Sequence, residues 1–163
     1  MRENIRTFCR LFAEVFEPSG PIYEFGSYQV AGQEELGDLR GLFRGKEYVG
    51  CDLRPGRGVD RIEDLSALSL ADDSVATALV LETLEHVAEI EAAVSELRRV
   101  LEPGGLVALS MPFDLRIHGY PSDYWRVTPV GMQRLLEGFE GRIADDDLGD
   151  HVRDQHAEEG THQ

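Results

Sequence analysis

One stretch, Ser74 to Phe113, limits what this chain can fold into more than any other. Val75 to Leu81 is an apolar run of strand length without polar alternation, the mark of a strand covered on both faces. From Glu89 onward Ile90, Ala93, Val94, Leu97, Val100 and Leu101 recur at helical spacing with charges between them. Pro103-Gly104-Gly105 stops that helix, and Leu106 to Met111 opens a second buried-strand run. Strand, helix and strand in this order predict a βαβ unit, which is almost always right-handed. Ligands of such sheets sit beyond the carboxyl ends of the strands. Glu82 to His86 and Met111 to Tyr120 follow two of those ends, so chemistry is expected there.

The remaining chain fits around this unit. Ile5, Phe8, Leu11, Phe12, Val15 and Phe16 predict a first helix, ended by Pro18-Ser19-Gly20, that packs on the sheet edge or lids a cleft. Pro21 to Gly26 reads as a strand running into the loop Ser27 to Gly32. Leu36, Leu39, Leu42 and Phe43 predict a helix weakened by Gly37 and Gly41. Glu47 to Asp52 reads as a strand ending in a carboxylate, Arg54 to Gly58 as a turn-rich link, and Val59 to Glu63 as a third strand with Asp64-Leu65 at its end. This alternation predicts an α/β fold: a Rossmann-like, doubly wound, mostly parallel sheet with helices on both faces.

After Phe113 periodicity is lost, and residues 114–127 read as a loop or lid in which Trp125 is core. Thr128 caps a last helix with Pro129 in its first turn and Met132, Leu135, Leu136 and Phe139 on its apolar side. Arg142 to Ala144 fit one more strand, so the strand pair that normally closes such a sheet is incomplete. An edge is then open to a second copy of the chain, a homo-dimer. Residues 1–144 read as one domain, with 1–20 as its N-terminal helix, and 145–163 as a disordered acidic tail.

Composition excludes some partners. The 163 residues carry a net charge of -15, which repels phosphate backbones and anionic membranes, so no nucleic acid and no membrane are expected as partners. No apolar run reaches the ~20 residues of a membrane span. Arg6, Arg10 and Glu14 interrupt the N-terminal apolar residues, unlike a signal peptide, and the expected location is cytoplasmic. Cys9 and Cys51 read as buried free thiols. Asp150, His151, Asp154, His156, Glu158 and His162 are too loosely spaced for a metal centre, and none is expected.

Several spaced motifs agree in order and interval. They are Glu24-Phe25-Gly26, Gly50-Cys51-Asp52, Asp64-Leu65, Asp72-Asp73-Ser74-Val75, Leu84-Glu85-His86, Glu96-Leu97-Arg98-Arg99-Val100-Leu101 and Pro103-Gly104-Gly105. In these the chain resembles the class I S-adenosylmethionine-dependent methyltransferases, of the methyltransferase type 11-like branch, from about Ile22 to Phe139. The resemblance implies S-adenosylmethionine as cofactor, laid across the strand tips. Glu24 and Gly26 would then lie near its methionine moiety and Asp52 would hold the ribose. Asp64 would accept from the adenine amino group, the Leu65 amide would read a ring nitrogen, and Glu82 and Thr83 would line the methyl-transfer face. Glu85 reads as an anchor of the crossover, and His86 equally as anchor or as chemistry.

The chain departs from the family in its first loop, where Tyr28 and Val30 stand at two positions usually held by glycine. The run His118 to Arg126 resembles a segment that accompanies a subset of these proteins. It suits a substrate lid in which Tyr120, Asp123, Tyr124 and Arg126 bind a small-molecule acceptor, an anionic one meeting Arg116 and Arg126. It equally suits a structural loop pinned by an Asp123–Arg126 bond. His118 or His86 is the expected acid-base residue. The function expected is methyl transfer to a small molecule such as a sugar or secondary metabolite. Two other readings stay open: a binding or scaffold module that has lost the cofactor, and a nicotinamide oxidoreductase, which the missing Gly-x-Gly-x-x-Gly disfavours.

Overall fold

The N-terminal apolar repeat folds as α1 (Glu3–Phe16) in a computed structural model that describes residues 3–118 and 122–140. Ile5, Cys9 and Phe12 are its buried residues, and they cluster with Ile22, Leu79, Leu81 and Ala108 of the sheet. The helix therefore lies on a sheet face, where its pattern predicts an edge or a cleft. The apolar stripe is wider than the contact, since Phe8, Leu11, Val15 and Phe16 remain 39–70% exposed.

Five strands among the described residues form one sheet: β1 (Ile22–Phe25), β2 (Tyr48–Asp52), β3 (Arg61–Ile62), β4 (Val75–Leu81) and β5 (Leu101–Ser110). Every pairing is parallel and the order is β3-β2-β1-β4-β5. The order reverses after β1, which makes the β1/β4 boundary the switch point where crevices form in doubly wound sheets. β4 is buried at all its positions, as its unbroken apolar run predicts. Leu79 and Leu81 face α1, so Ala78 and Val80 face the opposite layer. The right-handed β4-to-β5 crossover places α3 (Ile90–Val100) there.

Three expectations need correction. Leu101 belongs to β5, so α3 ends before Pro103-Gly104-Gly105 and those residues do not stop it. The β4–β5 register jumps from Val75↔Leu101 to Thr77↔Leu106, and the Pro-Gly-Gly triplet bulges out between these pairs. β5 is also mostly half-buried or exposed, because it has a neighbour on one side only among the described residues. The helix predicted from Leu36 to Phe43 breaks into α2 (Glu34–Gly37) and a 3-10 turn, Arg40–Leu42. Asp38 is extended between them, and its side chain accepts from the Arg40 amide. Leu39 and Phe43 still reach the core without a continuous helix.

Arg99 braces α3 to the segment before β4. Its guanidinium donates to Glu96 and Asp72, each at 2.7 Å, and to the carbonyls of Leu68 and Leu70. Cys9 and Cys51 are buried free thiols, their pKa pushed up to about 12 by burial.

The chain forms two compact units, Met1–Arg126 and Val127–Gln163. In the second, α4 (Pro129–Leu135) starts as predicted: Thr128 Oγ1 accepts from the Gly131 amide at 3.1 Å, and Pro129 occupies the first turn. The strand expected at 142–144 and the tail 145–163 lie outside the described residues.

Candidate functional site

The carboxyl tips of β1, β2, β3 and β4 form one rim, and the candidate cofactor residues lie along it. Gly26 follows β1, is exposed, and holds φ +88, a conformation that favours glycine. A Cβ there would meet Thr83 Oγ1 at 2.2 Å. Thr83 follows β4, and its hydroxyl is shared between the carbonyls of Phe25 and Leu81, so it ties the two central tips together. Glu82 also has positive φ, +51, and its amide donates to the Ser110 carbonyl at the tip of β5.

Asp52 ends β2. Its Oδ1 accepts from the Arg54 amide at 3.0 Å, while Oδ2 has only a long contact of 3.4 Å with the Tyr28 amide. That oxygen keeps acceptor capacity for a sugar hydroxyl. Asp64 is exposed beyond β3; its Oδ1 accepts from the amide and hydroxyl of Ser66, while Leu65 beside it is buried. Glu24 differs from these two. Its carboxylate is 4% exposed and accepts from the Tyr48 hydroxyl at 2.7 Å, and burial pushes its pKa up to about 7. It lies beneath the rim, two residues short of Gly26, and is satisfied from within the protein.

Tyr28 stands beside Asp52. The Arg54 guanidinium lies 4.2 Å from the centroid of its ring, and the ring packs so close to Gly56 that a Cβ there would meet it at 2.3 Å. The Gln29 amide donates to the Arg57 carbonyl, so the loops after β1 and β2 are joined. The donors and acceptors present fit a nucleoside over Gly26, Asp52 and Asp64, with the Tyr28–Arg54 stack beside Asp52.

A second cluster lies where β4 leads into the 3-10 turn Leu84–His86 and meets the segment around His118. Glu85 is fully buried, and among the described residues neither carboxylate oxygen has a hydrogen-bond partner of ordinary geometry. Burial raises its pKa to about 7, its own amide opposing the rise. Its backbone carbonyl accepts from the Tyr124 amide at 2.7 Å, so it does anchor the turn, through the main chain. His86 Nδ1 lies 2.6 Å from the Ser122 carbonyl. A carbonyl only accepts, so Nδ1 carries a proton, and in the neutral ring Nε2 keeps its lone pair. The rings of His86 and His118 are 5.2 Å apart, edge to face.

Asp123 and Arg126 form the internal pair that one sequence reading anticipates. Two guanidinium nitrogens donate to the two carboxylate oxygens at 2.5 and 2.7 Å, and the His118 amide donates to Oδ2 at 2.8 Å. The Arg126 bonds hold the Asp123 carboxyl well below the usual range. Tyr124 is 52% exposed and open to a ligand. Trp125 is not core: it is 38% exposed and held by an Nε1–H bond to the Val87 carbonyl at 2.8 Å. Tyr120 lies outside the described residues. Sequence reasoning missed the Tyr48–Glu24 bond and the buried Glu85 carboxylate; the one signal for Glu85 is a carboxylate next to a histidine at a strand end.

The family model described as Methyltransferase domain matches residues 38–109, which run from the α2 region through β4 and α3 to β5. That match covers under half of the 163 residues, and over it the chain is similar to this family. No curated protein matches the chain. Among solved structures, a SAM-dependent methyltransferase from Archaeoglobus fulgidus is similar, with 17% identity, TM-score 0.63, and 88% of this chain and 71% of that one covered. The PH0226 protein from Pyrococcus horikoshii has 17% identity and TM-score 0.60, over 91% and 86%. The YcgJ protein from Bacillus subtilis has 18% identity and TM-score 0.51, over 66% and 51%, so the chain spans about half of that relative's length. At these identities the likeness is one of fold. No helix among the described residues is long and apolar enough to cross a membrane.

Proposed function

We propose that this chain transfers a methyl group from S-adenosylmethionine to a small-molecule acceptor that meets the donor beside the tip of β4. The observation that carries the reading is the gathering of Gly26, Asp52, Asp64 and Thr83 along one carboxyl rim at a switch point of a parallel sheet. The chemistry available with S-adenosylmethionine bound is transfer from a sulfonium, which asks mainly for alignment in a dry pocket. Gly26 lets the backbone come close to the methionine end. Asp52 accepts from the ribose hydroxyls, Asp64 accepts from the adenine amino group, and the Leu65 amide donates to a ring nitrogen. Glu82 and Thr83 line the transfer face, and Glu24 supports the rim from below through Tyr48.

At the acceptor end Tyr124 offers an open aromatic wall, and Asp123 and Arg126 hold the segment in shape for it. His86 Nε2, its lone pair free, is placed to take a proton from an acceptor hydroxyl or amine, with His118 beside it. Calorimetric titration with S-adenosylhomocysteine tests the reading. Binding is expected, and D52A is expected to weaken it at least tenfold, the loss of a hydrogen bond to a charged group. Silence with S-adenosylhomocysteine, or binding of NADH in its place, would overturn it. A second reading, a scaffold that has closed its cofactor rim, is supported by the Tyr28–Arg54 stack over β2. It is favoured if neither ligand binds the wild type or Y28A.

A further inference from the structure

We propose that Glu85, His86 and His118 form a binding site for a divalent transition-metal ion of the zinc type, with an open coordination position facing the acceptor side. One carboxylate oxygen and one nitrogen from each imidazole lie within 4.8 Å of one another. The set of two histidines and one carboxylate with a free position is the donor chemistry that borderline ions take in reactive rather than structural sites.

Three further observations point to an ion. First, Glu85 is entirely buried and, among the described residues, neither carboxylate oxygen has a hydrogen-bond partner of ordinary geometry, which is costly unless something else satisfies them. Second, His86 is already oriented as a ligand. Its Nδ1–H is committed to the Ser122 carbonyl, the arrangement that fixes metal-binding imidazoles, and Nε2 faces Glu85 Oε1 at 3.7 Å. With the carboxyl ionised and the ring neutral both atoms carry lone pairs and do not bond to each other, so the pair then needs a cation between them. Donors about 2.1 Å from a tetrahedral ion stand about 3.4 Å apart, so this spacing is close to that of two ligands on one ion. Third, His118 has a buried Nδ1 without an aligned hydrogen bond among the described residues, 3.2 Å from Asp123 Oδ2, and that carboxylate is close enough to orient the ring.

The surrounding charge suits a cation. Glu82 and Asp123 act on Glu85 as negative neighbours, and the nearby Arg126 is paired to Asp123. The His86 and His118 side chains are 22% and 36% exposed, so an ion can enter from solvent. The 4.8 Å outer spacing asks the three donors to draw in by on the order of 1 Å. The backbone of Glu85 and His86 is fixed in the 3-10 turn, so His118 makes most of that movement. A metal ion here would lower the pKa of a bound acceptor hydroxyl or water, the work otherwise left to a histidine base. Binding of the ion does not depend on methyl transfer being the reaction.

The test uses the full chain, freed of metal with chelator, and titrated with Co2+ by absorption and with Zn2+ by calorimetry and thermal unfolding. One equivalent of Co2+ is expected to give visible ligand-field bands, and Zn2+ to raise Tm. E85Q and H118A are each expected to weaken Zn2+ binding at least 50-fold and to remove the Tm shift. H118A changes a partly exposed ring, so it reads the site even if E85Q disturbs folding. A variant with His151, His156 and His162 all replaced by alanine keeps wild-type binding if the proposal holds. The proposal is overturned if that variant loses the ion, if E85Q and H118A retain wild-type affinity, or if Co2+ gives no bands.

Discussion

At the scale of single residues, Gly26 and Tyr48 each hold a conformation or bond that no replacement supplies. Alanine at position 26 would carry the strain of positive φ and push against Thr83, which joins the tips of β1 and β4. G26A is expected to lose about 1–3 kcal/mol of stability, read by denaturant unfolding, and to lose S-adenosylhomocysteine binding with it. Tyr48 supplies the only hydrogen bond to Glu24 among the described side chains; Glu24 is buried and Tyr48 half-buried. Y48F leaves that carboxyl unsatisfied and is expected to cost about 1–3 kcal/mol. A retained wild-type stability in Y48F would show that water replaces the hydroxyl. The Tyr48 bond was not legible in the sequence, because Glu24 and Tyr48 pair across β1 and β2 and neither position carries a local signal.

At the scale of elements, the loops after β1 and β2 decide how open the rim is. The Tyr28 ring stacked on Arg54 and the Gln29–Arg57 bond close them on each other beside Asp52. A cation–π contact at a partly exposed site contributes about 0.5–1 kcal/mol. Removing it in Y28A shifts the loops toward an open form and is expected to tighten S-adenosylhomocysteine binding about threefold to fivefold, measured by calorimetry. Weaker binding in Y28A would instead make the ring part of the cofactor site. The sequence shows that Tyr28 and Val30 replace glycines, but the partner of the ring lies on another strand's loop. The broken helix after this loop has a comparable origin. Apolar positions at helical spacing from Leu36 to Phe43 reflect burial against α1 and the sheet, which a short helix and a 3-10 turn achieve equally well.

At the scale of the whole molecule, acidic groups set the response to pH. Glu24 and Glu85 have pKa values raised from 4.5 to about 7 by burial, so the folded chain binds more protons than the unfolded chain between those values. Stability from these two groups is therefore complete below about pH 4.5 and is lost as pH rises through 7, on the order of 3 kcal/mol for each. Asp60, Glu63, Glu96 and Asp123 are shifted down, so their contribution disappears as pH falls below the ordinary carboxylate range. Tm in chelator is expected to peak near pH 5 and to decline toward pH 8, and the E24Q/E85Q double variant is expected to flatten that decline. A wild-type profile that is level from pH 5 to 8 would show that neither carboxyl is shifted. The sequence by itself determined the order of strands and helices, the buried βαβ unit and the acids at the strand tips, because periodicity and turn residues act over a few positions. Only the tertiary structure decided that Glu85 is buried beside two imidazoles with no ordinary hydrogen bond to its carboxylate among the described residues, that Tyr28 lies on Arg54, and that α1 covers a face. Those facts depend on what residues distant in the chain bring to the same place, and local pattern carries no record of it.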